Sequence, residues 1–520
     1  MDRETTMAGN HDHLIDISPD TSLVSGTVAG AAAGVAAGRG GGGGGDEAKQ
    51  KWLRKLTSAT VNSAVLRDLI SRTPMLWYLG ERSGTILRPR TRRARVAALH
   101  AVRAVAIGPF HRRDAGLAFP DDAKLPFLRY LQDQCGLDVD GYVAALAVGR
   151  DRLRDEFADD GDEDDEAVVA TLDDEEKFLE MLLLDSCFLL VVSMMLSKAG
   201  AGDDDADSVM RAACISKEYF ILHMAVAQHA DHIKLDMLVL ENQVPFAAVK
   251  LLAAFCGSLK LRHSVEELVL GCFDDICPKR ARRAGDDAAG EFYHVLHLFH
   301  WSRVPKNKYN VLSTPLKLLR IKKESERLFP CYMELRRSAV WFRQATPSAG
   351  GGDLDMWFWR HPASPVAVMS VRCLHVHDYS AAVLHNLVAF EKHFYWAHGA
   401  CVTAHVARME GLVRCPPDAA MLRRRGVLAT ARRTDAELVA LFRELGEETV
   451  GARLPEEYGE MLDAVARHRR RRVSCWCGGF VLHFFPSPWV AVSLAAAAAL
   501  IVVPSMVQTV YTVLSYFKSS

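Results

Sequence analysis

The sequence predicts a mainly α-helical protein: a large helical globular domain with a minor β element, followed by one C-terminal transmembrane helix. Three observations carry this expectation. Apolar residues recur at helical spacing through most of residues 49–470. Residues 354–376 break that rhythm, because LDMWFWR and VAVMSVRCLHV alternate in the manner of a small strand pair. Residues 490–517 contain no charged side chain, and roughly 20 predominantly apolar residues suffice to cross a bilayer core.

Composition narrows the functional classes. Charged residues make up 24% of the 520 and hydrophobic ones 49%, the balance of a folded chain. A formal net charge of −1 creates no global field for nucleic acid. The basic runs at 279–283 and 467–472 lack interleaved aromatics and a reading module, so no nucleic-acid partner is expected. The 12 cysteines are scattered through apolar helical text, as at Cys187 and Cys256, which suits buried, reduced thiols better than a disulfide framework. No Asn-x-Ser/Thr sequon occurs.

Residues 1–46 are rich in Gly and Ala, hold the run Gly40 to Gly45, and read as a disordered N-terminus without a signal peptide. From Lys49 onward Trp52, Leu56, Val61, Val65, Leu66 and Leu69 fall at helical spacing, which predicts an amphipathic helix on a globular body. A turn is expected at Gly108-Pro109, and helix over 124–134. Residues 49–485 are expected to form one helical domain, followed by the span at 489–517.

Residues 178–196, FLEMLLLDSCFLLVVSMML, form a second hydrophobic peak. Glu180 and Asp185 lie inside it, and each acidic group near a membrane centre costs roughly 2.5–3.5 kcal/mol. Its flanks are acidic as well, so a buried core helix is predicted, not a second span. In IKLDMLVLENQVPFAAVKLLAAFC, at 233–256, Pro245 should end one helix near Gln243 and open the next. Glu241, Asn242 and Gln243 would then bind backbone groups left open at the break.

Constellations with chemical meaning are few. His294, His297 and His300 invite a metal reading, but ligands six apart on a helix point about 120° away from each other. Core or surface histidines are expected there. Cys272 and Cys277 do not have Cys-x-x-Cys spacing. No nucleophile elbow, phosphate-binding loop or H-E-x-x-H motif is present, so no catalytic, cofactor-binding or metal-ligating residue is assigned.

Five blocks, in order, do resemble a known family. IGPFH at 107–111 resembles the IGPYH signature of the plant domain-of-unknown-function 247 family, with Gly108 and Pro109. FLEMLLLDSCFLL at 178–190 is similar to its F-x-x-M-x-x-x-D-x-C-F-x-L block, with Asp185, Cys187 and Phe188. LDMLVLENQVPF at 235–246 resembles its L-E-N-Q-x-P-F core, with Glu241, Asn242, Gln243 and Pro245. HNLVAFEKHF at 385–394 resembles its N-L-I-A-F-E block, with Asn386 and Glu391. FPSPW, with Pro488 and Trp489, and the apolar tail resemble the closing element and terminal membrane helix. The chain departs from the family in lacking a proline shortly before IGPFH and in having Ser487 where asparagine is usual. The resemblance implies a plant protein, largely helical and anchored at its C-terminus. It brings no known activity. Some members are associated with pollen–stigma self-incompatibility in grasses, which implies recognition or signalling.

Arg467, Arg469, Arg470, Arg471 and Arg472 lie just upstream of the span and only Lys518 follows it. The positive-inside rule then places the bulk of the chain on the cytoplasmic side of a membrane, with lipid as one partner. Pro504 should kink the span. Cys475 and Cys477, between the arginines and the span, are candidates for S-acylation. The expected function is a membrane-anchored protein-interaction or signalling module with a protein partner, not an enzyme. The alternative is an enzyme whose acid–base site is built from Asp185, Glu241 and histidines in the helical domain.

Overall fold

The computed structural model describes residues 84–86, 101–157, 166–197, 217–259, 261, 263–281, 292–305, 318–319, 329–345, 352–484 and 488–519. The N-terminal segment 1–46, the amphipathic stretch from Lys49 and part of the basic run at 279–283 lie outside them. The described protein is mostly helical with a small sheet. It divides into two compact units where the sequence suggested one domain: residues 1–273 with 289–296, and residues 274–288 with 297–520.

The first unit is built around the helix Glu175–Leu196. Asp174 starts it by accepting hydrogen bonds from the amides of Glu176 (3.1 Å) and Lys177 (3.3 Å), two of the donors every helix start leaves open. Fifteen of its residues, from Phe178 to Ser193, are buried, Asp185 and Ser186 among them. A helix so apolar on every side must be enclosed. It is enclosed by the helices Asp121–Cys135, Val139–Val148, Glu166–Asp173, Lys217–Gln228, Phe246–Ala254 and Val265–Gly271. Phe188 sits between Phe119 and Phe127, with ring centroids 5.5 and 4.8 Å away. The second hydrophobic peak is therefore the core of this unit.

The break at Pro245 differs in detail from expectation. The helix Ala230–Asp236 stops at Asp236 instead of reaching Gln243, and Pro245 caps Phe246–Ala254. The carbonyls left open at this end, of Asp236, Met237 and Val239, accept from the side-chain amides of Asn242 and Gln243, while the Asp236 carboxylate accepts the amides of Ala104 (2.6 Å) and Val105 (3.0 Å).

In the second unit the strand pair expected at 354–376 forms as Met356–Arg360 antiparallel to Ala367–Val371. A third strand, Val340–Gln344, joins parallel to Ala367–Val371, which makes the latter central. The sequence did not show it, because VWFRQ follows the helix Tyr332–Arg337 after only two residues. Helices Ser380–His398, Cys401–Leu412 and Asp435–Thr449 pack on one another, and Pro416–Arg424 joins the last. A capping box opens Asp435–Thr449: Thr434 accepts from the Glu437 amide, and Glu437 accepts from that of Thr434. Helix Glu456–Arg469 lies against strand Met356–Arg360, and Arg472–Phe484 packs on Tyr332–Arg337. Pro488–Ser519 closes the chain as one helix that continues through Pro504, where a kink was expected.

Candidate functional site

Three of the recognised sequence blocks meet in the first unit around the segment 104–112. Gly108 adopts φ +80°, a left-handed conformation open to glycine at little cost, and a Cβ there would stand 2.3 Å from the Gln243 carbonyl oxygen. Its amide donates to Asp185 Oδ2 at 2.8 Å. The same carboxylate accepts from Arg112 Nη1 at 2.8 Å and from Lys124 Nζ at 2.5 Å. Lys124 Nζ, wholly buried, also donates to the Ala106 carbonyl at 2.6 Å and to Asp121 Oδ1 at 3.1 Å. Arg112 grips Asp121 with two hydrogen bonds, of 2.6 and 2.9 Å. Burial works against charging Asp121, yet Lys124 and Arg112 beside it hold its carboxyl below the usual range. The four side chains form a closed ring of two acids and two bases, which is how buried charge is tolerated.

Asn242 clamps the same segment. Its Oδ1 accepts from the Ile107 amide at 2.6 Å, and its Nδ2 donates to the carbonyls of Val105 and Asp236, both at 3.0 Å. Gln243 Nε2 donates to the carbonyls of Met237 (2.9 Å) and Val239 (2.7 Å), and its Oε1 accepts from Leu296 at 3.3 Å. Both amides thus satisfy backbone groups around the helix break. Glu241 points elsewhere, with Oε2 3.4 Å from His111 Nε2, while His111 Nδ1 lies 2.8 Å from Asp114 Oδ2. Burial lowers the His111 pKa, but the two carboxylates outweigh it and the net shift is upward.

In the second unit Glu391, fully buried, accepts from the amides of Val402 (2.9 Å) and Thr403 (2.7 Å), from the Thr403 hydroxyl (2.7 Å) and from His300 Nε2 (2.8 Å). Its carboxylate, from another helix, caps the N-terminus of Cys401–Leu412. Asn386 Nδ2 donates back to the Ala382 carbonyl, at 2.9 Å. A model of the plant protein family of unknown function DUF247 matches residues 88–503. The chain belongs to the DUF247 family. No curated protein and no solved structure matches it.

For this DUF247 protein, the family blocks carry the internal frame of both units. Cys187 and Phe188 are fully buried next to Asp185 on the core helix. Of the three spaced histidines, His294 belongs to the first unit, and His297 and His300 to the second. Burial pushes His294 down to about 3, so it is neutral, and the His297 ring packs 4.2 Å from that of His398. Among the described residues no group of three or more His, Cys, Asp and Glu side chains has the geometry to hold a metal ion.

Cys277 lies with its Sγ 3.8 Å from His377 Nε2. Burial pushes the thiol up and the imidazole down, the opposite of what an activated thiolate needs. The arginine cluster divides in two. Arg469 pairs with Glu334 at 3.2 Å and Arg471 donates to the Ser364 carbonyl at 3.2 Å, whereas Arg467, Arg470 and Arg472 are exposed. Cys475 is exposed with its Sγ 3.1 Å from the Arg469 carbonyl, and Cys477 is half-buried.

Sequence reasoning missed Lys124, Arg112, His111 and Asp236. Three of these follow IGPF within 20 residues, and a charged residue on the apolar face of helix Asp121–Cys135 was the available signal for Lys124. It also missed Glu156, which burial pushes up to about 7 and which accepts from the Thr85 hydroxyl.

Proposed function

We propose that this protein is a membrane-anchored interaction module whose folded units face the cytoplasm and bind a protein partner. The observation that carries the reading is the contrast between its two long apolar helices. Glu175–Leu196 spends its apolar surface inside the first unit, while Ala496–Ser515 buries none of its own. An exposed, uncharged surface of that length is costly in water and is satisfied by hydrocarbon. Arg467 and Arg469 to Arg472 on its N-terminal side favour a cytoplasmic position for what precedes it.

Binding is favoured over catalysis by where the carboxylates are spent. Asp185 and Glu391 each accept three or more hydrogen bonds from internal donors, which leaves them as structural anchors. Trp357 (43% exposed) and Trp359 (61%) meanwhile share one face of the edge strand Met356–Arg360. Tryptophans displayed in this way are frequent anchors of protein interfaces. Recognition of the kind associated with the family in grass self-incompatibility fits such a surface.

Tagging both ends and measuring accessibility in intact membranes, with proximity labelling from the large face, tests the proposal. Expected are a cytosol-accessible N-terminal tag, resistance to alkaline extraction, and partners whose labelling drops in a W357A/W359A variant. Release by alkali, or labelling indifferent to the two tryptophans, would overturn the anchor and the surface respectively.

An acid–base reading rests on His111, which keeps 12% of its side chain exposed between Asp114 and Glu241. If H111Q leaves partner labelling intact while abolishing a turnover detected in substrate screening, the enzyme reading takes precedence.

A further inference from the structure

The helix Arg472–Phe484, which precedes the terminal apolar helix, shows two faces. Ser474 is fully buried and Gly478 is buried, and they set the face that packs on Tyr332–Arg337. Gly478 permits the close approach, since a Cβ there would stand 2.2 Å from the Arg337 carbonyl oxygen. Val473 (60% exposed), Trp476 (71%) and Phe480 (39%) fall at i, i+3 and i+7. At about 100° per residue they share one stripe, roughly 150° around the axis from the packed face. The Trp476 and Phe480 rings stack, with centroids 5.7 Å apart. Cys477 belongs to the same stripe by register, and Cys475 does not.

We propose that this helix is a membrane-surface element, with Val473, Trp476 and Phe480 seated in the headgroup–acyl boundary of an anionic phospholipid bilayer and Arg467, Arg470 and Arg472 against lipid phosphate. Two observations commit the stripe to lipid. Only residues 485–487 separate the helix from Pro488–Ser519, so a chain spanning the bilayer there brings residue 484 to the membrane surface. The exposed arginines directly precede the aromatic stripe in sequence and supply charge complementary to anionic headgroups, and such aromatics prefer the interface. The inference rests on the membrane-anchor reading. It adds that the second unit is held on the bilayer by a helix packed into its own fold, rather than hung from a flexible tether.

The test uses the full chain reconstituted in vesicles of phosphatidylcholine with phosphatidylserine. A photoreactive benzoylphenylalanine replaces Trp476 in one variant and Ser505, inside the terminal helix, in another. The expected result is lipid adducts from both positions, with the yield at 476, but not at 505, falling several-fold when phosphatidylserine is omitted. Adducts at 505 without adducts at 476 overturn this inference and leave the anchor standing. Adducts at neither position remove the anchor and the inference together. A yield at 476 indifferent to phosphatidylserine removes the arginines from it. As a second readout, a V473S/W476S/F480S variant should stay resistant to alkaline extraction while amide exchange across residues 472–484 of the membrane-bound protein rises; unchanged exchange counts against the inference.

Discussion

Lys124 Nζ and Asp185 Oδ1 lie 2.5 Å apart with neither side chain exposed. Asp185 comes from the middle of an apolar helix and Lys124 from the helix packed on it, so each buried charge is offset first by the other. Arg112, Asp121 and the Gly108 amide complete the enclosure. A single D185N substitution leaves the buried ammonium with Asp121, at 3.1 Å, in place of its closer carboxylate, and takes a charged partner from Arg112, so the first unit should lose about 3 kcal/mol. Replacing both residues with apolar ones of similar volume (K124M/D185L) should cost less than the two single changes summed. Thermal unfolding of the full chain in detergent micelles measures the set, and strict additivity would show that the pair is not coupled.

The positive φ of Gly108 and its approach to Gln243 give a second expectation. G108A should cost at least about 2 kcal/mol, combining the left-handed penalty with displacement of the Gln243 carbonyl. Gly116 has a similar φ, +84°, with nothing within 4 Å of a Cβ, so G116A isolates the backbone term at about 1–2 kcal/mol. Equal losses from the two variants would argue against a tight contact at Gly108.

Glu391 makes its contribution as a cap supplied from another helix. E391Q keeps the shape but replaces one accepting oxygen with a donor facing amides or His300, and about 1–3 kcal/mol should be lost. Hydrogen exchange should rise first at Val402 and Thr403. Protection unchanged at those amides would remove the cap assignment.

Two histidines should shape the pH dependence of the first unit in opposite senses. The His111 pKa is raised in the fold above its ordinary 6.5, so its stabilising contribution is fully present below 6.5 and is lost as pH rises through the native value. His294 is lowered to about 3, so stability falls as pH drops from 6.5 toward that value. H111Q should therefore flatten the pH–stability curve above about pH 6.5 without touching the acid side. An acid limb that vanishes in H111Q would contradict this assignment.

Much of this architecture was legible in the chain. The enclosed helix 175–196 declared itself because two acids inside an apolar run suit a protein core and not a bilayer. The alternation at 354–376 gave two strands, since period-two patterning is local. Asn242 and Gln243 stood out as polar groups in apolar text at a proline break. The third strand, the partners of the Asp236 carboxylate and those of Asp185 did not, because each depends on residues distant in sequence. Asp236 meets the amide of Val105 from 131 residues away, and His300 meets Glu391 from 91.

The sequence by itself determined the helical class, the two apolar helices and the family, all of which follow from local periodicity, composition and short motifs. Only the tertiary structure decided that the chain divides into two units and that the family blocks of the first converge on one segment, 104–112. It alone separated Arg469 and Arg471, tied to the fold, from Arg467, Arg470 and Arg472, which reach solvent. The physical reason is common to these cases. Whether a polar side chain is a strut or a free surface group depends on which donors and acceptors folding brings within about 3 Å of it, and no spacing along the chain encodes that.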